Sequence, residues 1–146
     1  MAAAVAAAVF VGDQLSKWWA YTTLADGPMA VVDGVVRFKL TFNTGVSFSM
    51  FSGFGPIIAF VAFAIVGLIL YVLRDAHRPI EAVALGLILG GALGNLADRM
   101  FRGDGYLDGA VVDFIDFSFF ATFNVADMAI NAGVIVMLLA VFGKRS

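Results

Sequence analysis

Four stretches of this chain are apolar for about as long as a helix needs to cross a bilayer, and this limits what the chain can fold into. A hydrocarbon core about 30 Å thick takes roughly 20 helical residues. The stretches are 2–24, 56–73, 80–97 and 121–142. Hydrophobic residues make up 62% of the chain and charged ones 14%, against about 45–50% and about 25% in a soluble domain. So much apolar surface belongs in lipid. The first stretch opens on Ala and Val like a secretory signal, but no basic residue precedes it, so it reads as a retained membrane helix. The expected fold is an all-α membrane protein, one domain over 1–146, with four transmembrane helices.

The same counts exclude several functions. A net charge of -2 with no basic stripe leaves no nucleic-acid partner. Cysteine is absent and His77 is the only histidine. That removes disulfides, a thiol nucleophile, a Ser-His triad and a His- or Cys-based metal site, so no metal or other cofactor is expected. Arg74, Arg78, Lys144 and Arg145 fall on one membrane face, which fits the cytoplasmic side. Arg37, Lys39, Arg99 and Arg102 oppose that bias from the other face.

Residues 25–55 are too many for a plain helix connector. Val36, Phe38, Leu40 and Phe42 alternate with Arg37, Lys39, Thr41 and Asn43, the period of a strand with one apolar face. Asp33-Gly34 between two Val pairs is a hairpin turn signal. A small sheet is therefore expected on the outer face.

Ionisable groups in or beside a membrane segment mark functional sites by default. Asp13 and Lys17 are four apart, on one helix face, with the acid first. They read either as a buried ion pair that fixes packing or as participants at a reacting centre. Gly86, Gly90 and Gly94 recur every four residues, which lets helices approach closely. Asn95, Asp98 and Arg99 follow on one side near the end of a short third span. Asp98 and Arg99 read as helix anchors or as site residues, with Asn95 and Arg99 favoured over Asp98 to face a site. Asp127 falls about 9 Å inside the fourth span, with Asn124 and Asn131 on its face. This polar stripe must meet protein or water. Asp113 lies in the apolar run Val111-Val112-Asp113-Phe114-Ile115, as a solvated loop acid or as a site carboxylate. If Asp113 and Asp127 share a cavity, one proton between them lets one act as base on water while the other donates to a carbonyl oxygen. A proton-coupled transporter using Asp13, Lys17 and Asp127 is an alternative, but the second span has no polar group to continue a relay. A Mg²⁺ phosphotransferase using Asp104, Asp108 and Asp113 is another.

Five blocks together resemble bacterial lipoprotein signal peptidase, also called signal peptidase II, over nearly the whole chain. They are Asp13-Gln14-Leu15-Ser16-Lys17, Asn43-Thr44-Gly45-Val46-Ser47-Phe48, Gly94-Asn95-Leu96-Ala97-Asp98-Arg99, Val112-Asp113-Phe114-Ile115-Asp116 and Phe123-Asn124-Val125-Ala126-Asp127. The resemblance implies four helices in the bacterial inner membrane, both termini cytoplasmic, a β-cradle on the outer face and an active site toward that face. It implies an aspartyl endopeptidase that removes the signal peptide of a prolipoprotein just before the diacylglyceryl-modified lipobox cysteine. Its partners are that lipidated substrate and membrane lipids, and it acts as a monomer. Carried over by position, Asp113 and Asp127 are the catalytic pair, and Asn43, Gly45, Asn95, Arg99, Asn124 and Ala126 line the site. Asp13 and Lys17 are the polar pair of the first helix. The chain departs from the family at Val46-Ser47, where two alanines are commoner, and in a long 102–109 stretch with three glycines.

Overall fold

A computed structural model of the protein describes residues 1–44, 55–105 and 107–143. Its elements run α1 (Ala2–Thr23), β1 (Met29–Val32), β2 (Val36–Asn43), α2 (Gly55–Leu73), α3 (Pro79–Phe101), β3 (Val111–Phe117) and α4 (Val125–Phe142). Gly45, Val46-Ser47, Lys144 and Arg145 lie outside the described residues.

Among the described residues, three helices are long and apolar enough to cross a membrane: Pro56–Leu73, Pro79–Phe101 and Val125–Phe142. α1 has the length, at 22 residues, but Asp13, Gln14 and Lys17 lower its hydropathy. Phe60, Leu68, Tyr71, Ile135, Leu139 and Phe142 are large, apolar and exposed, as a lipid-facing surface requires.

Two helix boundaries differ from expectation, and both move site residues. Pro79 starts α3 at a position where its missing N–H costs nothing, and the helix runs on to Phe101 instead of ending at residue 97. Asn95, Asp98 and Arg99 therefore sit within a full-length helix, not at the end of a short one. α4 begins at Val125 with Asn124 as N-cap, not at residue 121. Asp127 is thus in its first turn, rather than about 9 Å within it.

α3 is the central helix. A Cβ on Gly86 would sit 2.7 Å from the Ala2 carbonyl, and one on Gly90 2.6 Å from the Ala6 carbonyl, so these glycines let α1 lie directly on α3. Gly133 does the same for α4, where a Cβ would meet the Ala84 carbonyl at 2.7 Å. Ala6, Ile69, Leu85 and Leu89 form the buried core between the helices, with Ile88, Leu93 and Met137 against it. The Arg78 Nη1 donates to the Ala140 carbonyl at 2.9 Å, so the α2–α3 turn and the end of α4 share one end of the bundle.

The sheet packs on the end of α1, where Ala20, Leu24 and Phe114 are buried beneath Trp19, Phe38 and Leu40. Its order is β1-β2-β3, all antiparallel. The hairpin turns at Asp33-Gly34, where Gly34 has φ 72°. β3 is a strand where the sequence offers a solvated loop as one reading of Asp113. β2 keeps the expected alternation only as far as Leu40. A bulge between Phe38 and Thr41 shifts the pairing from Phe38↔Ile115 to Thr41↔Asp113, and one extra residue reverses the faces. Phe42 is consequently exposed, and Asn43 turns inward.

Candidate active site

The last strands of the sheet and the first turn of α4 meet over α3, and the polar residues gather there. Asp113 is on β3 and only 2% exposed. Asn43, turned inward by the bulge, donates to Asp113 Oδ2 at 3.1 Å. Asn124 donates through Nδ2 to Asp113 Oδ1 at 2.7 Å. The same Asn124 caps α4: its Oδ1 accepts from the Asp127 N–H at 3.0 Å, and its own N–H donates to Asp127 Oδ2 at 3.2 Å. Each side of this capping box satisfies a helix-end donor. Asn95 on α3 donates to Asp127 Oδ1 at 2.9 Å. One asparagine therefore ties two carboxylates together, and a second amide steadies each of them.

Burial, with the negative charge of Asp127 beside it, pushes the Asp113 carboxyl up to about 6. Asp116, farther along β3, behaves oppositely. The Arg37 guanidinium pairs with it and holds its carboxyl below the usual range.

Asp113 and Asp127 both line a cavity of about 1040 Å³. Asn43, Asn95, Arg99 and Asn131 line it together with apolar residues that include Ile58, Ile65, Ile88 and Ile130. The cavity lies between α2 and α4, which pack on α3 but, among the described residues, not on each other. Such a space can take both a polar backbone and aliphatic groups.

Two expected site residues take other places. Asn124 is fully buried and bridges the carboxylates rather than lining the cavity. Ala126 is also fully buried, against Gly91 and Gly94 of α3, and its N–H donates to Asp13 Oδ1 at 2.9 Å. Beneath the cavity, Lys17 Nζ lies 2.8 Å from Asp13 and 2.9 Å from Asp98, all three side chains fully buried. Asp98 belongs to this ion cluster, a role the sequence reading missed. Among the described residues no three His, Cys, Asp or Glu side chains group as a metal site. Asp108, in the 102–109 stretch, instead accepts from the Gly105 N–H.

The chain is similar to known proteins over nearly its whole length. The profile of the Signal peptidase (SPase) II family matches residues 5–143. The lipoprotein signal peptidase of Mycobacterium avium is 40% identical over 95% of this chain and 78% of its own length. That of Rhodococcus jostii is 38% identical over 92% and 69%. Two solved bacterial membrane enzyme structures share the fold. One has a TM-score of 0.86 at 27% identity, covering 99% of this chain and 89% of the other, and the second has 0.82 at 28%, covering 96% and 91%.

Proposed function

Because the chain belongs to the signal peptidase II family, proteases that remove the signal peptides of prolipoproteins, we propose that Asp113 and Asp127 are its catalytic pair and that it is an aspartyl endopeptidase. The observation that carries this is Asn124, hydrogen-bonded to both carboxylates at the head of one cavity. Two like charges so placed favour sharing one proton. In this reading Asp113 carries that proton and gives it to the scissile carbonyl oxygen. Asp127 takes a proton from the attacking water. The tetrahedral adduct then collapses, and the departing nitrogen receives a proton from the pair. Asn43, Asn95 and Arg99 line the cavity and align the extended backbone there. Gly45 belongs to the same proposed subsite.

In this reading the apolar lining of the cavity takes lipid-like groups of the substrate, the diacylglyceryl chains of the lipobox cysteine among them. α1 is the fourth span: its 22 residues reach about 33 Å, and its charges are neutralised within the protein. The site faces the outer side of the bacterial inner membrane, with Arg74 and Arg78 cytoplasmic, and the domain works as a monomer. The transporter and phosphotransferase alternatives fall with the family assignment.

The test uses purified full-length enzyme and a lipid-modified prolipoprotein. Asp113→Asn and Asp127→Asn should each abolish cleavage while keeping the fold, because an amide can neither take the water's proton nor share one. The double variant should be no worse than either single one, since members of a catalytic unit do not add. Substantial turnover by either single variant removes the pair from the mechanism.

A further inference from the structure

The ammonium of Lys17 has three donors, and all three are committed. They go to Asp13 Oδ2 at 2.8 Å, Asp98 Oδ2 at 2.9 Å and Asn95 Oδ1 at 2.9 Å. Each of these partners leads to the catalytic pair. Asp13 accepts from the N–H of Ala126 at 2.9 Å, the residue before Asp127. Asp98 accepts from the N–H of Val112 at 3.2 Å, the residue before Asp113. Asn95, its oxygen held by Lys17, turns its Nδ2 to Asp127 Oδ1 at 2.9 Å. Gly94 leaves the space the cluster needs, since a Cβ there would sit 2.5 Å from Asp13 Oδ2. Gln14 closes the arrangement, donating to the Gly94 carbonyl at 3.1 Å.

We propose that Lys17, with Asp13 and Asp98, is the positioning frame of the active site: one buried cation anchors the backbone beside both catalytic aspartates and so sets their separation. The inference rests on the dyad reading given above. A pair that served only helix packing would need α1 and α3 alone. Here the same ammonium governs β3 and the first turn of α4 as well. Asp98 also accepts from Arg102 Nε at 2.7 Å, so the cluster balances two carboxylates against two cations.

That balance supplies a variant that stays folded. Removing one partner alone strands a buried charge, whereas removing a cation and an anion together is tolerated far better. Asp13→Asn combined with Lys17→Met leaves Asp98 paired with Arg102 and leaves an oxygen for the Ala126 N–H. In full-length enzyme, with lipid-modified prolipoprotein as substrate, kcat and KM are measured per folded molecule, folded fraction being taken from thermal unfolding. The expected result is a kcat lower by about 100-fold, the scale of a displaced reacting group, with KM within about twofold of the parent. A folded double variant with parental kcat overturns the proposal. So does one that cannot be recovered folded, which assigns the triad to folding. Asp113→Asn and Asp127→Asn, assayed alongside, separate the two readings. If they turn over, the dyad fails. If they are inert while the double variant has parental kcat, the frame alone fails.

Discussion

At Asp113 the burial that suits the carboxyl to hold a proton also keeps a charge out of water. Its folded pKa, about 6, lies above the ordinary 3.8, so between those values the folded chain binds more protons than the unfolded one. Stability therefore falls as pH rises from about 4 to about 6 and levels off beyond. Asp113→Asn should abolish that fall. Thermal unfolding of parent and variant from pH 4 to 7 should diverge with rising pH, by at most about 3 kcal/mol. Parallel curves would show that Asp113 titrates alike in both states. That Asp113 and Asp127 come together with Asn43 and Asn95 was readable because polar side chains are few in so apolar a chain. The roles of Asn124 and Ala126 were not readable, since a motif gives membership of a site and not the direction a side chain faces.

Among the elements, α3 was the most legible. Gly86, Gly90 and Gly94 mark the face that meets α1, and the four-residue period continues to Asp98. Followed one step further, that spacing places Asp98 opposite Lys17 rather than in the cavity. β3 gave no comparable signal. Its residues Val111–Phe117 are mostly buried on both faces, so the alternation that betrays a half-exposed strand is missing. The bulge in β2 was equally hidden, because one extra residue in a strand leaves no compositional trace. The close approach of α1 and α3 can be tested with Gly90→Leu. The new Cβ would lie 2.6 Å from the Ala6 carbonyl and 2.7 Å from Val9 Cβ. Overpacking of this kind costs about 1–3 kcal/mol, expected as a lowered unfolding temperature. Gly12→Ala, with nothing within 4 Å of its Cβ, should be neutral or slightly stabilising. Equal effects at the two positions would refute close packing at Gly90.

For the whole molecule, the cavity between α2 and α4 is lined by two carboxylates and by aliphatic side chains. A precursor carrying its lipid should be cleaved, and the matched precursor without lipid cleaved poorly or not at all. Equal rates in a purified-component assay would remove lipid recognition from the proposal. In the proposed mechanism carboxylates activate the water, so EDTA should leave the rate unchanged; inhibition reversed by Mg²⁺ or Zn²⁺ would contradict that chemistry. The placement of the cavity between two helices with apolar outer faces also sets the units in which this enzyme counts its substrate. Enzyme and precursor meet by lateral diffusion, so their encounter rate depends on how many lipids separate them and not on the volume of buffer. Fusing empty phospholipid vesicles with the reconstituted membranes at constant bulk concentration should slow cleavage in proportion to the lipid added, whereas doubling the water around them should leave it unaltered.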